Sequence, residues 1–328
     1  MLNPELKLNP KIFDEDVEQK PIRDGYGDAL LELGEKNPNV VVLTGDLAES
    51  TRVHKFAEKW PERFIECGVA EQNMAGIAAG LGVSGKIAFI SSYATFSPGK
   101  NWETIRTTII YNDANVKIAG HHAGIVTGPD GATHQATEDI AITRCWPNIK
   151  VISPCDYWEA KKATLFAAEI YGPVYIRFVR DKTPIITTEE TPFVFGKIEK
   201  FWLSENPQIA ILATGHLVYQ ALLAAKELEE EGINVLVLNV HTIKPLDQET
   251  LLDVAQKVKG IVTVEDHQIH GGMGSAVCEF LSQTKPIKIK FIGLRDTFGE
   301  SGKINELLAK YKLDKNAIKE EVKNLLFE

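Results

Sequence analysis

From about residue 23 onward, short β-branched apolar runs alternate with longer stretches whose apolar residues recur at helical spacing. Residues 25–36 (GYGDALLELGEK) have that helical period and lead into Val40-Val41-Val42-Leu43, a strand signal. Residues 75–81 (AGIAAGL) are small and apolar, which suits a helix packed tightly on a sheet. Further strands are predicted at 87–90, 116–119, 151–153 and 174–178. Strands alternating with helices predict a mostly parallel sheet covered on both faces. The rhythm pauses around residues 184–206, where Thr, Pro and Glu accumulate with little helical period. It then restarts with strands at 209–212, 235–240, 260–264 and 287–292, a helix at 217–231 and a closing helix at 317–327. The expected division is a polar arm (1–19), a first domain (20–190), a linker (191–206) and a second domain (207–328). Each domain is an α/β unit with a mostly parallel sheet flanked by helices.

A length of 328 residues fits about two domains. Thirty-six Lys and Arg against 45 Asp and Glu give a net charge of -9, which lends no support to a nucleic-acid partner. Cys67, Cys145, Cys155 and Cys278 are scattered without a C-x-x-C pair, and they read as reduced, buried thiols rather than a disulfide frame or zinc site. The first residues lack an apolar signal core, and no run of about 18 apolar residues appears, so neither secretion nor a membrane span is expected. The expectation is a soluble, cytoplasmic protein.

Several motifs are empty. Gly82-Val83-Ser84-Gly85-Lys86 has two residues between its glycines where a phosphate loop needs four, and Ile87 where it needs Ser or Thr. Gly271-Gly272-Met273-Gly274 lacks the dinucleotide spacing. Glu265, Asp266, His267 and His270 read as a solvated strand-end cluster in preference to a metal site, and no metal ligands are assigned in this chain.

Three segments concentrate polar chemistry at predicted strand ends, where open α/β sheets bind ligands. They are Gly45-Asp46-Leu47-Ala48-Glu49-Ser50, then Gly68-Val69-Ala70-Glu71-Gln72-Asn73-Met74, then residues 121–135 (HHAGIVTGPDGATHQ). Each has a bland reading alone. Glu71 could sit in a first helical turn, where the dipole favours a carboxylate. His122 and His134 could be core histidines, and Asp130-Gly131 a turn.

Together, in order and spacing, these segments resemble the C-terminal half of a transketolase, the pyrimidine-binding and C-terminal domains of a thiamine diphosphate enzyme. The resemblance covers about residues 20–328. It places the catalytic glutamate at Glu71, whose carboxyl would bond the cofactor's aminopyrimidine and favour the tautomer that deprotonates its own thiazolium ring. Tyr93 and Phe96 fall where the family stacks aromatics on that pyrimidine. His122, Asp130 and His134 fall at the spacing of the donor-sugar contacts, with His122 and His134 assisting catalysis. Arg23, Ser50 and Arg180 fall where a substrate phosphate is held. His121 has no counterpart.

The resemblance implies two-carbon ketol transfer from a ketose phosphate to an aldose phosphate in the pentose phosphate pathway, through a carbanion on thiamine diphosphate. The G-D-G…Asn signature that fixes the diphosphate through Mg2+ (or Ca2+ or Mn2+) is missing: Asp24-Gly25 follows Arg23, with no Asn at the right distance. An N-terminal partner subunit is therefore expected to bring the diphosphate and its metal. The implied assembly is α2β2, built on a homodimer of this chain and binding sugar phosphates.

Two relatives inside the superfamily stay open. One is 1-deoxy-D-xylulose-5-phosphate synthase, which has Asp-Arg where this chain has His121-His122. The other is the beta subunit of a 2-oxo acid dehydrogenase, whose substrate would leave the Asp130–His134 loop unexplained. A non-catalytic partner subunit is a third reading, opposed by an intact Glu71 and sugar loop. The second domain is expected to contribute packing surface only.

Overall fold

The computed structural model describes residues 1–327. The first domain is built on a seven-stranded sheet in the order Thr242–Lys244, Lys150–Ile152, Val174–Arg177, Val116–His121, Ile87–Tyr93, Val40–Thr44, Phe64–Glu66. All pairings are parallel except that of Thr242–Lys244, an antiparallel edge strand lent by the second domain. The second domain carries five strands in the order Lys288–Leu294, Gly260–Gln268, Ile209–Ala213, Val235–Asn239, Glu199–Trp202, of which only the last is antiparallel. Strand sequences such as Val40–Thr44 are buried along their whole length, as strands covered by helices on both faces must be.

The segment 191–206, expected as a linker, thus contributes Glu199–Trp202 to the second sheet. The N-terminal arm is pinned as well. Leu2 bridges Trp202, and Gln19–Pro21 pairs with Lys182–Pro184. Of the four cysteines only Cys155 is buried; Cys145 is exposed and the other two are half-buried, and all are free thiols. The expectation of four buried thiols fails because Cys145 lies just past the end of the Asp139–Arg144 helix, at the surface.

Close helix packing sets the positions of Arg23 and Glu71. The helix Ile22–Lys36 lies against the helix Tyr157–Glu169 so tightly that a Cβ on Gly25 would stand 2.2 Å from the Tyr157 carbonyl. This contact fixes Arg23 on its helix. The helix Glu71–Val83 buries Met74, Ala75, Ala78, Ala79 and Gly82, and its alanines and glycine let it lie close to the sheet. Glu71 is then its first residue, at the positive end of the helix dipole. On the helix Ile22–Lys36, Tyr26 is fully buried and shares a 2.6 Å hydrogen bond with Ser91 Oγ, so its hydroxyl is satisfied. No helix among the described residues is long and apolar enough to cross a membrane.

Candidate active site

The polar segments gather at the carboxyl ends of the parallel strands. After Val40–Thr44 the chain turns through Gly45, Asp46 (φ 63°) and Arg52 (φ 66°). After Ile87–Tyr93 comes Phe96, and after Val116–His121 comes His122, itself at φ 55°. That left-handed backbone is unusual for a non-glycine residue. It is braced by Thr127, whose hydroxyl donates to the His122 carbonyl at 2.6 Å.

Glu71 is buried, with 1 % of its surface exposed. Lys100, half-exposed, donates to Oε2 at 2.9 Å, and the Asn101 amide donates to the Glu71 carbonyl at 3.0 Å. The other oxygen, Oε1, faces Gly45, where a Cβ would stand 3.7 Å away. Lys100 was not anticipated: it lies 29 residues from Glu71, and no spacing signals that contact.

Four of the anticipated residues form one aromatic cluster. Tyr93 stacks on His122 with centroids 3.8 Å apart and on Phe96 at 5.9 Å. His134 meets Tyr93 and Phe96 edge-on at 6.0 and 5.5 Å. Because His122 occupies one face of Tyr93, Phe96 is the more available ring for a ligand. His121 turns the other way into the core, stacked on Phe178 at 4.9 Å.

Arg23 and Arg180 line a single cleft of about 720 Å³ with Gln19, Lys182 and the stretch 302–306. Arg23 donates to the Ser50 carbonyl at 2.7 Å, so Ser50 meets it through its main chain. Arg23 Nε is buried without a partner. Arg180 donates to the Thr127 carbonyl at 3.2 Å and stands 3.9 Å from Asp130, a loose and partly exposed pair. Arg52, bound to Asp24 at 2.6 Å, is a third cation that sequence reasoning missed, although it follows Ser50 in the same loop.

The combined field is strongly positive. Burial first, then Arg23, Arg180, His134 and Arg52, push the His122 imidazolium down to about 3. The Arg23 guanidinium is itself lowered by burial and by Arg52, with Arg180 adding to the effect. His122 is therefore neutral, with Nδ1 buried and unpartnered, beside Arg23, whose Nε has no partner, and Arg180, which is only loosely paired with Asp130.

The second domain was expected only to pack, yet it shapes this site. Residues 302–306 form one wall of the cleft. Asp266 accepts from the Ile125 amide at 3.0 Å, and Gly124 (φ 77°) leaves no room for a Cβ beside that carboxylate. Gln135 donates to the Ile125 and Glu300 carbonyls at 3.1 and 2.9 Å, tying the 121–135 loop to the second domain. Of the cluster expected to be solvated, only His270 is exposed; Glu265, Asp266 and His267 are buried, and Glu265 accepts the amides of Met273 and Gly274 at 2.7 and 2.9 Å.

A parallel sheet with a buried carboxylate at a helix start, an aromatic wall and a cationic cleft defines a pyrimidine-binding domain of the thiamine diphosphate enzymes. The chain belongs to the transketolase family: residues 18–185 match its pyrimidine-binding domain and residues 200–318 its C-terminal domain. It is 48 % identical over 303 residues to a "Putative transketolase C-terminal section" of Methanocaldococcus jannaschii, covering 91 % of this chain and 94 % of that one. It is 39 % identical over 301 residues to a 6-deoxy-6-sulfo-D-fructose transketolase subunit of a Clostridium species, covering 92 % and 93 %. The solved "Split gene transketolase, inactive beta4 tetramer" superposes with a TM-score of 0.85 at 40 % identity, over 94 % of this chain and 99 % of that one. Human transketolase is 36 % identical over 306 residues, which span 93 % of this chain but 49 % of that protein.

The residues present fit the pyrimidine half of thiamine diphosphate. Glu71 offers a carboxyl oxygen beside Gly45, and Phe96 and Tyr93 offer an aromatic wall. They do not fit the diphosphate and its metal. Among the described residues the one group of three converging metal donors is Glu159, Glu199 and His241, none of which lines the cleft.

Proposed function

We propose that this chain is the C-terminal subunit of a two-subunit transketolase, moving a two-carbon ketol unit from a ketose phosphate to an aldose phosphate in the cytosol. The observation that carries the reading is that Arg23 and Arg180 line one cleft and both act electrostatically on neutral His122. A sugar-binding imidazole and two guanidinium groups, one with a buried unpartnered Nε and one only loosely paired, stand where one phosphorylated sugar could meet both. Thiamine diphosphate, when bound, supplies the carbon nucleophile for this chemistry. Glu71 holds the pyrimidine by a hydrogen bond and keeps a proton available at its ring nitrogen. Phe96 and Tyr93 stack on the ring and exclude water. His122 and His134 hydrogen-bond the sugar oxygens where charge develops, and Asp130 accepts from a hydroxyl. Arg23 and Arg180 bind the phosphate by charge-assisted hydrogen bonds, with the Ser50 loop holding Arg23 in place.

The diphosphate, Mg2+ and their domain would come from an N-terminal partner in an α2β2 assembly. Val69, two residues before Glu71, is 70 % exposed, which suits a surface that a partner covers. The chain alone is then inactive. The test is mixing: purified chain, the diphosphate-binding subunit from the same cell, thiamine diphosphate and Mg2+, assayed for transfer from xylulose 5-phosphate to ribose 5-phosphate. Activity only in the mixture is the expected result. A folded, cofactor-bound mixture that transfers nothing from any phosphorylated or sulfonated ketose overturns the reading. Guanidinium groups bind sulfonates as well as phosphates, so the donor panel includes 6-deoxy-6-sulfofructose; transfer from that donor alone would relocate the pathway and keep the chemistry.

A further inference from the structure

Between the two domains lies a buried polar cluster that no step above uses. Glu159 comes from the helix Tyr157–Glu169 of the first domain. Glu199 opens the edge strand of the second sheet, directly opposite Asn239 in the ladder. His241 follows that neighbouring strand, and its carbonyl accepts from Ser153 of the first domain at 2.8 Å. One donor atom from each of Glu159, Glu199 and His241 lies within 4.8 Å of the others, and His241 Nε2 stands 4.0 Å from Glu199 Oε1.

The hydrogen bonds around this cluster leave gaps that point inward. Both Glu199 oxygens, His241 Nε2 and Asn239 Oδ1 are buried without a well-formed partner, although Glu199 is only 8 % exposed and the other two are fully enclosed. His241 Nδ1 lies 2.8 Å from Thr242 Oγ1. A proton donated there leaves the Nε2 lone pair free, the arrangement second-sphere bonds impose on metal-binding imidazoles. Glu159 is held from behind by the Cys155 amide and the Asn239 amide, both at 2.6 Å. The neighbouring Asp156 is fully bonded to Glu159, Ile186 and Thr187. The nearest cation, Lys162, gives its donors to the Thr188 and Thr191 carbonyls, and it does not close the gap.

We propose that Glu159, Glu199 and His241 bind a divalent transition-metal ion that clamps the two domains together. When both carboxyl groups are ionised, they and a neutral imidazole carry a charge of -2, which a bound divalent ion would neutralise. An imidazole with two carboxylates suits zinc and its neighbours more than Mg2+ or Ca2+, which take oxygen alone. The 4.0 Å between His241 Nε2 and Glu199 Oε1 is within about 1 Å of the spacing that two ligands of one tetrahedral zinc ion take. The three residues come from well-separated stretches of sequence, so no motif announces them.

The test needs no turnover, cofactor or partner, and so it stands apart from the reaction proposed above. The full-length chain is stripped with a chelator and titrated with Zn2+, while bound metal and thermal unfolding are followed. The expected result is one zinc per chain and a melting temperature that rises with Zn2+. Glu199→Gln and His241→Gln should each weaken binding at least about tenfold, whereas Glu71→Gln should bind as the parent does. Co2+ loading of the unsubstituted chain gives a second reading that does not depend on a variant folding. It should show d–d bands of a nitrogen–oxygen site and no sulfur-to-metal charge transfer from Cys155. A folded chain that takes up neither ion stoichiometrically overturns the proposal. So does zinc bound equally well by both variants, or a cobalt spectrum dominated by sulfur.

Discussion

Around the carboxyl end of the first sheet, His122 Nδ1, Arg23 Nε and Asn101 Oδ1 are buried without hydrogen-bond partners. At the carboxyl end of the second sheet, Glu265, Asp266 and His267 are all bonded: to Met273 and Gly274, to Ile125 and His216, and to Ala141. Both edges come from parallel sheets of the same kind, so architecture alone does not separate them. Their difference is one of satisfaction. Polar groups that support a fold are paired within it, whereas groups left unpaired at a site of ligand chemistry are waiting for something outside the chain. The second edge uses its polar residues to hold the loop on which the first edge depends.

The largest expected effect breaks the satisfied edge. Asp266 is buried between His216 at 3.1 Å and the Ile125 amide, and Arg177 donates to its carbonyl at 2.7 Å. Asp266→Ala should cost about 3–5 kcal/mol, the range for removing one partner of a buried pair. Scanning calorimetry should record a fall in melting temperature of the order of 10 °C. The carboxyl is also pH-linked. Burial raises it, but the His216 hydrogen bond and charge, Arg177 and the Ile125 amide outweigh burial and hold it below the usual carboxylate range. Its contribution is therefore present above about pH 4, the unfolded value, and lost as pH falls through the depressed folded one. Asp266→Asn should flatten that acid limb; an unchanged limb would assign acid sensitivity elsewhere.

At the unsatisfied edge the opposite outcome is expected, with function lost and the fold kept. Glu71→Ala should lower turnover of the reconstituted enzyme by at least about 10²-fold, the span of acid–base groups, with its melting temperature near that of the parent. Unchanged turnover at saturating cofactor removes Glu71 from its role. Arg180→Ala separates binding from chemistry. Charge-assisted hydrogen bonds are worth about 1.5–3 kcal/mol, so KM for phosphorylated sugars should rise about tenfold or more while kcat changes little. The loose Asp130 contact alone, as a partly exposed pair, would account for no more than about 1 kcal/mol. Equal effects on unphosphorylated sugars would leave Arg180 as a surface ion pair.

The two edges were also unequally legible. The first declared itself through dense local strings: residues 121–135 carry His122, Asp130 and His134, and residues 68–74 carry Glu71. Strand and helix cores followed from periodicity, as in Val40–Thr44 and Glu71–Val83. Contacts between distant residues gave no such signal. The Lys100–Glu71 pair, the Asp266 bond to Ile125 and the wall at 302–306 each join segments far apart in sequence, and no period or motif encodes them. Glu199 falls inside a stretch that reads as linker, because the β-strand Glu199–Trp202 is an edge strand only four residues long.

The smallest expected effect tests the unsatisfied edge through its proton. His122 is held near 3, by burial first and by Arg23 and Arg180 after it. With its folded value below the unfolded one, the neutral ring favours the folded state at neutral pH, and that advantage fades as pH drops below about 6.5. Activity between pH 6 and 8 should accordingly show no limb from His122. An anion seated on the arginines would cancel part of their repulsion, so phosphate should move the His122 titration upward. The shift must stay the lesser part of the total displacement, since burial is untouched. Nitrogen NMR of ¹⁵N-histidine-labelled chain, with and without inorganic phosphate, reads this directly. Arg180→Ala should raise the phosphate-free value and shrink the phosphate-induced shift. A titration indifferent to both phosphate and Arg180 would show that the arginines and His122 do not share a site, and the unpaired Arg23 Nε and His122 Nδ1 would then not await one common ligand.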